Sequence, residues 1–405
     1  MAGIDDTISL EQRAFVLAKT FQSIPLYFAH WQDSHIRKDE LDEAFRGLTE
    51  KALAADTRAR FSLLLIEFLA QLNNVHTGFR DPCLLDLPPL GMVLRPIEDQ
   101  WTVIESRLPD LRMGDVVLEI DGKSVDAWYE DLRRYTAGSP QARTVQFSEI
   151  IRYVIPNRYT LWYGDENGVD RSLTIDRTLL EQSPAPASTE GRWLSADCAY
   201  IKVPSFMGSE FEERALAYLK EFAQAASLIV DVRGNQGGST PGALTRALMD
   251  RPYRWWTESS PLAVGLLAYR AQFDPSVGLF ADSSLLWRSS ASDPDAGGYQ
   301  GRLVILIDRG SLSAAEDFGM PFKDNGRATL IGETTAGSTG QPFYHIFDNG
   351  MGFAIGTKRA YMPDGTAFEG VGIVPDICLV PRRADLYAGV DPVLDKAIAV
   401  ATTRQ

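Results

Sequence analysis

Gly310-Ser311-Leu312-Ser313-Ala314-Ala315-Glu316 is a small, hydroxyl-rich turn whose neighbours define its setting. Before it, the apolar run Leu303-Val304-Ile305-Leu306-Ile307 predicts a buried strand. After it, the amphipathic segment from Ala315 to Lys323 predicts a helix, stopped at Asn325-Gly326. A serine at that junction sits where backbone N–H groups and the helix dipole favour negative charge. Small neighbours let a carbonyl group approach. Taken alone, the turn has two readings: a nucleophile, or a hydroxyl that only caps the helix.

Its company separates them. Upstream, Ser227-Leu228-Ile229-Val230-Asp231-Val232-Arg233-Gly234-Asn235-Gln236-Gly237-Gly238 is a buried strand running into a glycine-rich turn. Downstream lie Ile331-Gly332-Glu333-Thr334-Thr335-Ala336-Gly337 and Phe368-Glu369-Gly370-Val371-Gly372-Ile373-Val374-Pro375-Asp376-Ile377. These four blocks, in this order, resemble the S41 family of serine peptidases, the C-terminal-processing and tricorn-core proteases. The resemblance covers most of residues 190–385. It implies a crotonase- or ClpP-like α/β core and serine-type hydrolysis of peptide bonds, with no metal and no organic cofactor.

The chain has 405 residues, enough for two or three domains. Its 45% hydrophobic and 23% charged content is that of a globular protein. A net charge of −14 argues against a nucleic-acid surface. No segment reaches the roughly 18 apolar residues of a membrane helix. The acidic start, Met1 to Asp6, lacks a signal-peptide core, so the expectation is cytoplasmic, or periplasmic or secreted if a leader has been removed. Cys83, Cys198 and Cys378 are scattered without metal spacing and read as buried small hydrophobes.

The expected fold class is α/β and multidomain: an N-terminal helical segment, a PDZ-like β-rich domain and the α/β catalytic core. Residues 1–86 read as helices, opened by the capping box Ser9-Leu10-Glu11-Gln12. Residues 87–181 resemble a PDZ domain, with Gly114-Asp115, an alternating strand and the Asp121-Gly122 hairpin. In that resemblance Leu90-Gly91-Met92 is the loop that receives a peptide's C-terminal carboxylate. Thr136 to Asn157 exceeds a minimal PDZ and has no assignment. A linker follows at Ser183-Pro184-Ala185-Pro186-Ala187-Ser188. Residues 190–385 form the core, and 386–405 a C-terminal helix. The aromatic-rich segment from Arg251 to Gly301 reads either as a pocket wall or lid, or as an insertion with its own core.

A serine hydroxyl needs a base, and the base an orienting partner. One branch of the family has a lysine 25 residues after the serine; position 338 is Ser338, so that dyad is absent. The other branch takes a histidine from the N-terminal region and a glutamate late in the core. Asn73-Asn74-Val75-His76-Thr77-Gly78-Phe79 resembles the first segment and Glu369 matches the second. The chain has four histidines; His30 and His35 read as structural or surface residues, and His345 is the competing base. The resemblance therefore implies Ser313 as nucleophile, His76 as base, and Glu369 as orienting or substrate-anchoring group. Ala314 with Gly237 or Gly238 would form the oxyanion hole. In the tricorn branch a hydroxyl residue can precede the histidine; Val75 stands there, leaving Thr77 or Ser311 as substitutes, or direct contact between Glu369 and His76. The expected partner is a polypeptide, bound through its C-terminal tail, with self-association open. Two other classes remain: a silent peptide- or apolar-ligand-binding protein on the same fold, and a small ester or amide hydrolase.

Overall fold

The computed structural model describes residues 7–181, 187–262, 265–274, 276–277 and 283–403. Its centre is a six-stranded sheet in the spatial order 377–378, 328–332, 302–307, 227–231, 198–202, 190–193. All neighbours pair in parallel except the edge strand Glu190–Trp193. The near-continuous apolar runs follow from burial on both faces. Ile201, Val230, Ile305 and Ile307 point to one side, where Phe318 and Phe322 of the helix Ala314–Asn325 pack. Tyr200, Ile229, Val304 and Leu306 point to the other, covered by Val393, Ala397 and Ala401 of the helix Pro392–Thr402. Cys198 lies in this core, but Cys83 is only partly buried and Cys378 is exposed, which corrects the reading of all three as buried. Cys378 sits in a two-residue strand at the sheet's edge, too short to be covered on both faces.

The N-terminal region has helices Leu10–Tyr27, Leu41–Leu53 and Arg58–Ala70. Ser9 and Gln12 form the expected capping box. This region shares one apolar cluster with the β-rich unit and with Phe347, Met351, Phe353 and Ile355. The strand Gly78–Arg80 pairs with Gly352–Ile355, which also pairs with Phe343–Ile346. Residues 343–355 thus leave the central sheet and tie the N-terminal helices to it.

The β-rich unit is an antiparallel sheet in the order 92–97, 100–106, 116–120, 158–164, 170–176. Thr136 to Asn157, unassigned from sequence, contains a helix, Pro140–Ile150, capped by Ser139 and packed along the free edge of the strand Met92–Ile97. The proline-rich linker lies largely outside the described residues. In the aromatic segment, Thr257–Pro261 pairs antiparallel with both Ser284–Arg288 and Arg359–Tyr361. Trp255 and Trp256 pack on the central core, so the segment has no separate core among the described residues, and Trp287 stays exposed.

One buried ion pair ties the segment after the Gly78–Arg80 strand to the N-terminal helices. Asp81 follows the Gly78–Arg80 strand and takes Arg58 Nη2 at 2.7 Å, the Ser62 hydroxyl at 2.6 Å and the Cys83 N–H at 3.0 Å. Arg58 also donates to the Asn349 carbonyl at 2.9 Å. Removing one partner strands a buried charge, so Asp81→Ala is expected to cost about 3–5 kcal/mol of folding stability in urea titration. A loss below about 1 kcal/mol would mean that the pair does not hold this region.

Candidate active site

The turn that carries Ser313 is built as a strained junction. The strand Arg302–Ile307 ends at Asp308, and the helix begins at Ala314. Between them Ser313 has φ 57° and ψ −119°, a conformation costing a non-glycine residue on the order of 1–3 kcal/mol. Hydrogen bonds hold it there. Ser313 N–H donates to the Ser338 carbonyl at 3.1 Å and to Glu316 Oε2 at 3.1 Å. The strain turns the Ser313 hydroxyl out of the helix toward His76, whose Nε2 lies 3.0 Å from Ser313 Oγ. Ser311, by contrast, is fully buried; its hydroxyl donates to the Val232 carbonyl at 2.8 Å and accepts the Asp308 N–H at 3.1 Å.

The glycine-rich turn lies against this serine. A Cβ on Gly237, at φ 93°, would stand 2.7 Å from Ser313 Cβ and 2.9 Å from Ala314 N. A Cβ on Gly238 would meet the Phe206 carbonyl oxygen at 2.0 Å. The Gly237 N–H donates to Asn235 Oδ1 at 2.8 Å, which leaves Gly238 as the candidate donor of the two. Ala314 opens its helix, so its N–H has no carbonyl to reach within it.

His76 comes from a loop clamped on both sides. Asn73 Oδ1 accepts the Gly138 N–H at 3.0 Å and Arg143 Nη2 at 2.7 Å. Val75 packs on Gly138, where an added Cβ would lie 2.5 Å from its methyl. The same helix start holds the facing loops: the Ser139 hydroxyl donates to the Ala336 carbonyl at 2.6 Å, and Gln141 Nε2 to those of Thr335 and Val371 at 2.9 and 2.8 Å. Neither Thr77 nor Ser311 bridges His76 to Glu369. His76 Nδ1 is 3.0 Å from Ser338 Oγ, and that same hydroxyl favours the charged form of the Glu369 carboxyl. Glu369 also accepts the Thr339 N–H at 3.3 Å and the Ala360 N–H at 3.4 Å.

The other expected residues fall as follows. His30 is buried, beside Gly356, and His35 is exposed. His345 packs on Phe347 and Phe353 in the outer sheet. Leu90-Gly91-Met92 lies at one end of a groove of about 700 Å³ that runs along Met92–Ile97 and the 140–150 helix to Gly234, Gln236 and Gly310. Sequence reasoning misses Glu316, Thr335, Ser338 and Asn74. Ser338 stands at a position already in view, where the lysine of the other branch would fall.

Burial dominates the electrostatics. It lowers His76 to about 4, helped by the charges of Lys358 and Arg80. It lowers His30 to about 3, with Arg359 and His76 adding to the effect. It pushes Glu369 up to about 8, and the nearby Glu316 acts in the same direction. Glu316 also rises to about 8, against four donors that favour its charge. Lys358 itself is paired with Glu258 at 2.8 Å and lies over Trp256.

Residues 197–379 match the model of Peptidase family S41. The chain is similar to the carboxyl-terminal-processing protease of Synechocystis sp., 28% identical over 210 residues, 51% of this chain and 44% of that protein. It is also similar to the carboxy-terminal-processing protease of Bartonella bacilliformis, 24% identical over 299 residues, 70% of this chain and 58% of that protein. The chain spans about half the length of these relatives. Among solved structures, mature CPAF shares the fold with a TM-score of 0.73 at 17% identity, over 96% of each chain.

The raised carboxyl has a consequence for stability. Glu369 favours its neutral form in the fold, so its contribution is full below about pH 4.5 and is lost as pH rises through about 8. The lowered imidazoles act oppositely: their contribution is full above pH 6.5 and is lost as pH falls through 4 to 3. Between pH 6.5 and 8 the buried carboxyls set the slope, with Glu316 and Asp317 in the same direction as Glu369. Urea unfolding is expected to show falling stability across that window. In Glu369→Gln the fall should be smaller by on the order of 1–2 kcal/mol. Parallel curves for the two proteins would contradict the raised carboxyl.

Proposed function

We propose that this chain, whose residues 197–379 belong to peptidase family S41, is a serine endopeptidase. Ser313 is the nucleophile, His76 the general base and Glu369 the group that orients it. The observation that carries the reading is the 3.0 Å contact between Ser313 Oγ and His76 Nε2 at the start of a helix. Ser313 Oγ attacks the scissile carbonyl carbon as its proton passes to Nε2. The carbonyl π pair moves to the oxygen, which accepts the N–H groups of Ala314 and Gly238. Such donors are each worth roughly 3–4 kcal/mol in the transition state. The C–N bond then breaks and the leaving amine takes the proton from Nε2. Water, deprotonated by the same nitrogen, releases the acyl group from Ser313.

The substrate is a polypeptide, engaged by its C-terminal tail. The groove along Met92–Ile97 supports this: its lining continues from Leu90-Gly91-Met92 to Gly234 and Gly310, next to the nucleophile turn. The strand Met92–Ile97 is the last in its sheet and can accept an added strand. Ser148 bridges the N–H and carbonyl of Leu94 on that edge, so the tail pairs on the Leu90 side of that bridge. Arg107 and Arg152 line the groove near that end and suit a carboxylate, alongside Glu105 and Glu149.

Ser313→Ala is expected to abolish hydrolysis of an unfolded protein and labelling by a fluorophosphonate probe, with unfolding unchanged. Ser311→Ala should keep the labelling if it folds. Near-normal turnover by Ser313→Ala would remove it as nucleophile, and turnover of small esters alone would favour the ester hydrolase. For the tail, the full-length Ser313→Ala protein is titrated with one apolar-ended peptide as free acid and as C-terminal amide. The acid should bind about tenfold tighter or more, as expected of a charged hydrogen bond. Equal affinity, or no binding of either, would mean that the groove does not read tails.

A further inference from the structure

The hydrogens in the network behind His76 take their directions from their partners once Glu369 is ionised. Thr77 Oγ accepts the Gly356 N–H at 3.0 Å, so its own proton goes to Asn74 Oδ1 at 3.1 Å. Asn74 Oδ1 also accepts the backbone N–H of His76 at 3.1 Å. The amide oxygen is thereby fixed, and Asn74 Nδ2 must face the Ser338 hydroxyl, 3.5 Å away. Ser338 Oγ has one proton to give. Asn74 Nδ2 is a donor only. The oxygens of Glu369 already face two N–H groups, those of Thr339 and Ala360. With Glu369 ionised, above about pH 8, the consistent assignment sends the Ser338 proton to Glu369 and leaves the Ser338 lone pairs for Asn74 and for His76 Nδ1 at 3.0 Å. His76 therefore carries its hydrogen on Nδ1, and the Nε2 lone pair faces Ser313 at 3.0 Å.

We propose that Ser338 is the positioning residue of this site: its hydroxyl fixes the His76 tautomer and couples the Glu369 carboxyl to the imidazole. The proposal rests on the serine-peptidase reading above. When Nε2 takes the Ser313 proton, the imidazolium keeps its Nδ1 hydrogen. Its positive charge strengthens the bond to Ser338 Oγ, and that hydroxyl leans further toward Glu369. No proton needs to reach Ser338 or Glu369, and Nε2 returns its proton to the leaving amine. Ser338 is held in place for this role. It is 1% exposed, its N–H donates to Glu316 Oε2 at 3.0 Å, and its carbonyl accepts the Ser313 N–H at 3.1 Å. Ser313 and Ser338 are thus joined by one backbone hydrogen bond and share the Glu316 carboxyl.

The tautomer can be read without activity. With four histidines in the chain, ¹⁵N-histidine labelling and single removal of His30, His35 and His345 assign the His76 ring. Unmodified protein at about pH 9, where Glu369 is ionised, should show hydrogen on Nδ1; hydrogen on Nε2 there overturns the proposal, whatever the catalytic outcome. Ser338→Ala should lower kcat by about 10²–10⁴-fold, the range for losing acid–base function, and leave KM within a few-fold. The loss should not multiply with that of Glu369→Gln, because the two groups act through one chain. A Ser338→Ala protein with kcat within threefold of the parent, or a double variant whose losses multiply, overturns the relay. Activity retained by Ser313→Ala would instead overturn the serine-peptidase reading and leave the tautomer result standing.

Discussion

A single buried carboxyl, that of Glu316, sets the geometry on which the site depends. It sits three residues into the helix after the nucleophile turn and reaches back to the Ser313 N–H at 3.1 Å. It also takes the Gly337 and Ser338 N–H groups at 2.7 and 3.0 Å, and the Thr335 hydroxyl. Thr335 is committed to that direction, because its oxygen already accepts the Ile373 N–H at 2.7 Å. A carboxyl fully out of water is costly unless its acceptor sites are filled. All four donors come from the two loops that must face each other. Satisfying Glu316 and assembling the turn against the relay loop are therefore one requirement. The strain at Ser313 is maintained by the same contacts.

The histidine poses a different problem, since it does not belong to the central sheet. The loop 73–77 reaches Ser313 because three regions converge on it. Asn73 is held by Gly138 and Arg143, and the strand after His76 pairs with Gly352–Ile355. The helix that starts at Pro140 then binds the loops carrying Thr335, Ala336 and Val371. The β-rich unit is thus a structural part of the site. Its strand Met92–Ile97 adds Arg95, paired with Asp308 at 3.0 Å, while Asp308 Oδ1 takes the N–H groups of Gly234 and Gly310 at 2.8 and 2.9 Å. The base of the nucleophile turn and the glycine turn therefore share an anchor with the groove strand.

The sheet, the nucleophile turn and the N-terminal helices are legible in the sequence because their signals are local. A continuous apolar run, a capping box and a glycine after an amphipathic segment act within one turn or one strand. The helix from Pro140 to Ile150 is not legible, because its apolar faces serve two neighbours and leave no single stripe. Ser338 and Glu316 are not legible as functional residues either. A serine in Gly337-Ser338-Thr339-Gly340 looks like loop, and a glutamate at the third helix position looks like an ordinary cap. Their distinction comes from burial and from partners far away in sequence, such as Asn74 and Glu369.

Val75 illustrates why motif matching runs out at that point. In the tricorn branch a hydroxyl residue can precede the histidine, and here an apolar residue stands there. Val75 instead packs: its methyl group fills the space over Gly138, where even a Cβ could not fit. The proposed coupling uses one O–H within hydrogen-bond reach of both an imidazole nitrogen and a carboxyl. It does not require that O–H to come from any particular point of the chain. The loop after the neighbouring strand, already pulled in by Glu316, brings the Ser338 hydroxyl to that position. Position 75 is thereby free to pack the helical region against the β-rich unit, and the two demands are met by different residues.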